Sequence, residues 1–166
     1  MPPQQFFGKY RGVVTNNADP LKMGRIRATV PDIYGTNESG WAMPCAPFAG
    51  RSTGFFALPT VGAGVWVEFE HGDPDYPIWV GAWWGSAEEM PPLVAADPPN
   101  VVMVRSAGGS SITISDAGET GLVLEASTGA KAKIGAAGIE LDNGQGAKVK
   151  LSGPQVSIND GAVEVT

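Results

Sequence analysis

The chain has 166 residues, 11 Lys and Arg against 17 Asp and Glu, and a net charge of -6. An acidic surplus in both parts, 10 acids to 6 bases through residue 100 and 7 to 5 beyond it, disfavours a protein built to hold phosphate backbones. The single Cys45 permits no intrachain disulfide, no apolar run reaches membrane-spanning length, and no leader-like segment opens the chain. Synthesis in a reducing compartment without a secretory signal is therefore expected.

Taken in chain order, Pro2, Pro3, Phe6 and Phe7 form an arm with no evident fold of its own. Strand-like runs follow at Lys9 to Thr15, Arg25 to Val30, Trp41 to Phe48 (the weakest), Val65 to Glu70 and Ile78 to Trp83, separated by Gly, Pro and Asn clusters. Every aromatic lies between Phe6 and Trp84. Five short strands with an aromatic-rich interior fit a small closed barrel of the OB type over residues 1–85. Residues 86–100 carry Pro91, Pro92, Pro98 and Pro99 and read as a short extended connection.

From 101 to 166 one unit recurs: an aliphatic, a spacer and a second aliphatic. It runs Val102-x-Val104, Ile112-x-Ile114, Leu122-x-Leu124, Ala132-x-Ile134, Ile139-x-Leu141, Val149-x-Leu151, Val156-x-Ile158 and Val163-x-Val165, with starts 10, 10, 10, 7, 10, 7 and 7 residues apart. Side chains alternate across a strand, so each unit turns two aliphatics to one face and a central residue, mostly Thr113, Lys133, Glu140, Lys150, Ser157 or Glu164, to the other. Residues 85–166 offer no aromatic and no helical periodicity to cover the apolar face. Copies of the chain are the expected partner: three chains wound about one axis would make an intertwined trimeric β-helix, a β-prism, with the paired aliphatics inside. The expected trimer core is Val102, Val104, Ile112, Ile114, Leu122, Leu124, Ile134, Ile139, Leu141, Val149, Leu151, Val156 and Ile158. The fold class is thus all-β, a barrel followed by a needle on the order of 40 Å long.

Clusters that could carry chemistry have plainer explanations. Glu68, Glu70, His71, Asp73 and Asp75 crowd together, yet His71 to Pro74 is turn composition. Lys22, Arg25 and Arg27 near Tyr10 and Trp66 could line a groove for single-stranded nucleic acid, against which the acidic balance weighs. Cys45 lacks a partner that would mark a nucleophile. No catalytic residue, metal ligand or cofactor is expected, and no nucleic acid. The competing classes are an OB-fold nucleic-acid binder with an oligomerising tail and a carbohydrate-binding trimer.

Several motifs in order carry a family resemblance: Tyr10-Arg-Gly-Val-Val through Asp19-Pro20, Met23-Gly-Arg-Ile-Arg through Val30-Pro31, Trp41-Ala42, Ala46-Pro-Phe-Ala-Gly50, Leu58-Pro-Thr-Val-Gly62 through His71-Gly-Asp73, and Tyr76-Pro-Ile-Trp-Val-Gly81. Across roughly residues 8–85 the chain resembles phage baseplate assembly protein V and the VgrG-type central spikes of contractile tails and injection systems. The resemblance implies a homotrimeric spike, its barrels under a tail hub protein and a triple-stranded β-helix pointing to the target cell membrane, with which it makes transient contact. Residues 86–100 have no room for the lysozyme domain of some relatives, and the lone His71 cannot supply the His-x-His iron apex of others. The resemblance therefore implies a separate PAAR-type tip protein, with Val163, Val165 and Thr166 as its binding end, and the arm of Phe6 and Phe7 as the surface facing the hub.

Overall fold

The computed structural model describes residues 4–96, 98–117 and 121–165. It divides into two compact units, Met1–Ser86 and Ala87–Thr166.

The first unit is a curled five-stranded sheet. β1 (Tyr10–Asn16), β2 (Arg27–Thr29), β3 (Met43–Pro44), β6 (Gly64–Phe69) and β7 (Pro77–Trp83) pair in the order β2-β1-β6-β7-β3. All pairings are antiparallel except β3 with β7. The two end strands meet as well: just outside them Ile26 and Ala42 exchange backbone bonds, Ala42 N–H to Ile26 carbonyl at 2.8 Å and the reverse at 3.2 Å. Closure of that seam removes the free edges that an open sheet would expose. A one-turn helix, α1 (Pro31–Tyr34), follows β2.

Alternation along β6 places Val65, Val67 and Phe69 inside and Trp66 and Glu68 outside. The buried core is Val14, Ile26, Ala28, Val30, Ala42, Val65, Val67 and Phe69. The expectation of an aromatic-rich interior is thus corrected: a barrel this narrow has room for aliphatics, and most large rings pack on its ends and outer wall. Trp66 and Trp83 hold the Arg11 guanidinium at 5.5 and 5.1 Å from their ring centres. Trp83 also donates its indole N–H to the Val65 carbonyl at 3.1 Å, and Gly64 has no room for a Cβ beneath that ring. Phe6 packs edge-on against Tyr10 and Phe69, while its N–H donates to Gly72 O at 2.8 Å. An unforeseen hairpin, β4 (Ala49–Gly50) with β5 (Thr53–Gly54), interrupts the path from β3 to β6.

Residues 86–100 are not extended as expected. They form 3-10 turns at Ala87–Glu89 and Pro98–Asn100 around a short helix, α2 (Pro92–Ala96), which packs against the next strand. Proline fits the first position of a helical turn, where its missing N–H would have no partner anyway.

The second unit is a meander of β8 (Val101–Arg105), β9 (Ser111–Ser115), β10 (Gly121–Glu125), β11 (Lys131–Gly135), β12 (Gly138–Asp142), β13 (Lys148–Ser152), β14 (Gln155–Ile158) and β15 (Val163–Val165), each antiparallel to the one before. All eight repeat units fall on strands. Five-residue strands with five residues between them produce the interval of ten; the two-residue turns at 136–137 and 153–154 produce two of the sevens, and the connection 159–162 after the shorter β14 produces the third. Every strand finds its ladder neighbours within the chain, because such short connections return the backbone at once to its own edge.

Glycine is compulsory at one such return. A Cβ on Gly138, at φ 113°, would lie 1.9 Å from the Leu151 carbonyl oxygen, whereas one on Gly146, at φ 99°, would meet nothing. Both positions disfavour an L side chain, by roughly 1–2 kcal/mol. Gly146→Ala should lose about that much, and Gly138→Ala clearly more, since the β13 backbone must move. Urea midpoints of the two variants check this; equal losses would mean that the close approach is not real.

Candidate functional site

Register decides what the second unit presents. Across the ladder Val102 faces Ile114, Ile114 faces Leu122, Leu122 faces Ile134, Ile134 faces Ile139, Ile139 faces Leu151 and Leu151 faces Val156. A second column runs Val104, Ile112, Leu124, Ala132, Leu141, Val149, Ile158 and Val163. One slip by a single residue would send the whole set to the other side. The expected core residues are therefore brought together, without exception, on one face.

Among the described residues of its own unit, nothing covers that face. Val102 is 66 % exposed, Ile114 50 % and Leu141 50 %, beside wholly buried valines in the barrel. A groove of about 880 Å³ runs along the second column, floored by Val104, Ile112, Leu124, Ala132, Leu141 and Ile158. Scattered apolar side chains are normal on a protein surface, but a continuous double file of them marks an interface. Burying about fifteen such aliphatics at roughly 2 kcal/mol each would involve on the order of 30 kcal/mol.

The opposite face differs along its length. Central positions of the first three strands are Met103, Thr113 and Val123, of which Thr113 is 4 % and Val123 9 % exposed. The expectation of a uniformly wet face fails there: these centres are less polar, and α2 packs against β8 at this end. From β11 to β13 the centres carry alternating charge, Lys133 facing Glu140 and Glu140 facing Lys150. Lys150 also binds Asp160 at 2.6 Å, and Lys148 sits 3.4 Å from Asp142. The Asp142 carboxyl is held below its usual range, first by the Gly144 N–H and then by Lys148 and Lys131. Asp160 is lowered by Lys150, whose amine is raised in return.

Val163 lies on the apolar face of β15, opposite Ile158. Val165 is opposite Val156, and Thr166 is outside the described residues. Of the arm, Phe6 is spent on its own barrel, and Phe7 is left 70 % exposed.

The alternative clusters have been absorbed into structure. Arg25 is bound to Asp19 at 2.6 Å and lies over Trp41, which Arg27 shares while reaching Glu38 at 3.3 Å. Asp19 also accepts the N–H groups of Leu21 and Met23, so that its carboxyl, held mainly by Arg25, stays well below the ordinary range. Tyr10 packs against Phe69 rather than offering a stacking platform. Glu68 pairs with Lys9, and His71, at φ 53°, shapes the turn between β6 and β7. Among the described residues no group of three His, Cys, Asp or Glu is placed to hold a metal ion. Tyr34 donates to the Pro74 carbonyl at 2.6 Å, and burial, reinforced by Asp75 and Asp73, pushes its phenol up to about 12.

A second apolar hollow, about 710 Å³, lies in the barrel unit between β7 and residues 44–59, with Met23, Phe55, Phe56 and Trp79 in its wall. Nothing in the sequence marked it, since its rim is loop and the two-residue strands β4 and β5.

An apolar face left uncovered among the described residues of its unit points to assembly, and comparison with known families bears on what assembles. Residues 10–84 match the Type VI secretion system/phage-baseplate injector OB domain, and residues 100–164 match the phage baseplate V C-terminal trimerisation domain. No curated protein shows significant similarity to the chain. The chain is a structural protein of a phage baseplate or injection system, a component of a virion or injection particle, and its two domains are those of phage baseplate V proteins. The trimerisation domain supports assembly as a homotrimer.

Two outcomes follow. Ile114→Asp should abolish assembly, because it sets carboxylates into a dry interface without partners, whereas Lys133→Glu, on the other face, should leave oligomeric mass unchanged; equal effects would mean that the faces are misassigned. Since Asp142 and Asp160 have depressed carboxyls, their contribution is present above the ordinary carboxylate range near pH 4 and lost as pH falls through it. These pairs are partly solvated, so urea midpoints should drop only modestly between pH 7 and pH 3 while the apolar interface persists.

Proposed function

We propose that this protein is the central spike of a contractile tail or injection-system baseplate, acting mechanically rather than chemically. Three copies lay their apolar faces inward, and the three meanders become the walls of a closed prism, residues 101–166, carried by OB barrels, residues 1–85, through the connection 86–100. The observation that carries this reading is the unbroken double column of aliphatics on a sheet that has nothing of its own to cover it. A stiff prism closed on all sides transmits the work of contraction to a small area of the target membrane.

The barrel end is assigned to the tail hub, with Phe7 as the exposed anchor of the arm. The other end is assigned to a PAAR-type tip. Among the described residues β15 has only β14 beside it, so its outer edge offers unpaired backbone groups next to Val163, a surface suited to strand addition or a plug.

Residues 1–86 expressed alone should remain folded and elute as a monomer, while the full chain elutes as a trimer. A trimer of equal tightness from the fragment would place the assembly surface in the barrel and overturn this account. Val163→Asp combined with Val165→Asp should prevent capture of the tip protein from intact particles and leave the trimer in place; undiminished capture would refute the assigned binding end.

A further inference from the structure

Closure of the barrel through β3 reaches β7 only at Ile78 and Trp79, the partners of Met43 and Pro44, where the Cys45 N–H donates to the Trp79 carbonyl at 2.9 Å. Beyond that point β3 has ended. Among the described residues no strand lies on that side of Val80, Gly81, Ala82 and Trp83, a stretch of roughly 13 Å. The chain departs at Ala46 and comes back along Phe55 to Pro59, and the hollow of about 710 Å³ lies between this return and β7. It stands where a further strand would run.

The walls of the hollow are held in place. Asp19 gathers the N–H groups of Leu21 and Met23 and the Arg25 guanidinium, which fixes the loop that carries Met23. The next carbonyl, that of Gly24, accepts the Trp79 indole N–H at 3.1 Å. Yet Met23, Phe55 and Phe56 stay open to solvent, Phe56 at 75 %. Gly81 is equally bare: its φ is not positive, and a Cβ there would meet nothing within 4 Å. Neither backbone conformation nor crowding inside the unit calls for that glycine, and glycine within a strand also marks the close approach of another backbone. An open strand edge beside an apolar trough is the pairing by which one protein takes an extended segment of another into its sheet.

Charge narrows the occupant. No charged residue lines the hollow, and between Glu38 and Glu68 the only charged residue is Arg51, at the tip of the β4–β5 hairpin. Lys22 precedes Met23 on the opposite loop. Both cations are exposed, and among the described residues neither has an ion pair. In a chain of net charge -6, this rim is cationic, and it favours a segment that brings a carboxylate to it.

We infer that the open stretch of β7 is completed by an extended segment of a different protein of the particle, with apolar side chains for the hollow and an Asp or Glu for Lys22 and Arg51. The surface shares no residue with the aliphatic face of 101–166 or with the arm of Phe6 and Phe7. It stands whether or not the chain is the central spike.

The test places p-benzoylphenylalanine at Phe56 of the full chain, or at Phe55 if the first variant does not assemble, and irradiates intact particles. Tandem mass spectrometry of the cross-linked peptide should identify one segment of a different protein, apolar at alternate positions and bearing a carboxylate. Arg51→Glu should lower the yield by about tenfold or more, and Arg51→Lys should leave it nearly unchanged. As a synthetic peptide added to the purified full chain, that segment should slow amide hydrogen exchange across Val80 to Trp83. Cross-links to a second copy of this chain, to lipid or to nothing would overturn the inference. A yield indifferent to Arg51→Glu, or binding of the peptide without amide protection, would overturn it too.

Discussion

Everything in the needle depends on register. The side-chain period of a strand is two, and each connection in the meander returns the chain so that aliphatic meets aliphatic across eight strands. No helix or second sheet in the unit covers the face so formed. The free energy at stake in that exposed face makes the isolated meander an unsatisfactory end state, and the cheapest remedy is more of the same surface. Assembly is therefore written into the pairing pattern rather than added by a dedicated interface loop.

The barrel obeys the opposite logic. It closes its own seam at Ile26 and Ala42 and fills its interior with aliphatics. Four of its cationic side chains are tied to partners, Lys9 to Glu68, Arg25 to Asp19, Arg27 to Glu38 and Arg11 between two indoles. A self-sufficient unit followed in the chain by a dependent one suits the spike proposed above, in which the first would be recognised at a baseplate and the second would transmit force.

How much of this could be read from the residues varies with the kind of pattern. The eight needle strands were legible because the Val-x-Val type of unit reports period two directly, and intervals of ten and seven turned out to be strand plus loop and strand plus turn. Four of the barrel strands were legible within a residue or two, whereas the run Trp41 to Phe48 holds only the two-residue β3. The hairpin at Ala49–Gly50 and Thr53–Gly54 was not, since strands of two residues leave no periodicity. Phe6 was misjudged because an aromatic in a Pro-rich arm gives no sign that it folds back onto Phe69. The aromatic-rich interior was expected on hydrophobicity alone, which ignores the small bore of a five-stranded barrel. For the five-residue loops a signal was present and unread: Ser106-Ala-Gly-Gly-Ser110, Ala126-Ser-Thr-Gly-Ala130 and Asn143-Gly-Gln-Gly-Ala147 share a glycine in fourth place, at positive φ in each.

The claim on which the account stands is that the aliphatic face is buried between copies. Sedimentation equilibrium of the intact chain over a wide dilution range tests it most directly, read together with far-ultraviolet circular dichroism. The account requires one species at three times the chain mass, persisting on dilution, with its β signal intact. A species at the mass of one chain that keeps the full β signal would show that the meander is stable with its face in water, and would contradict it.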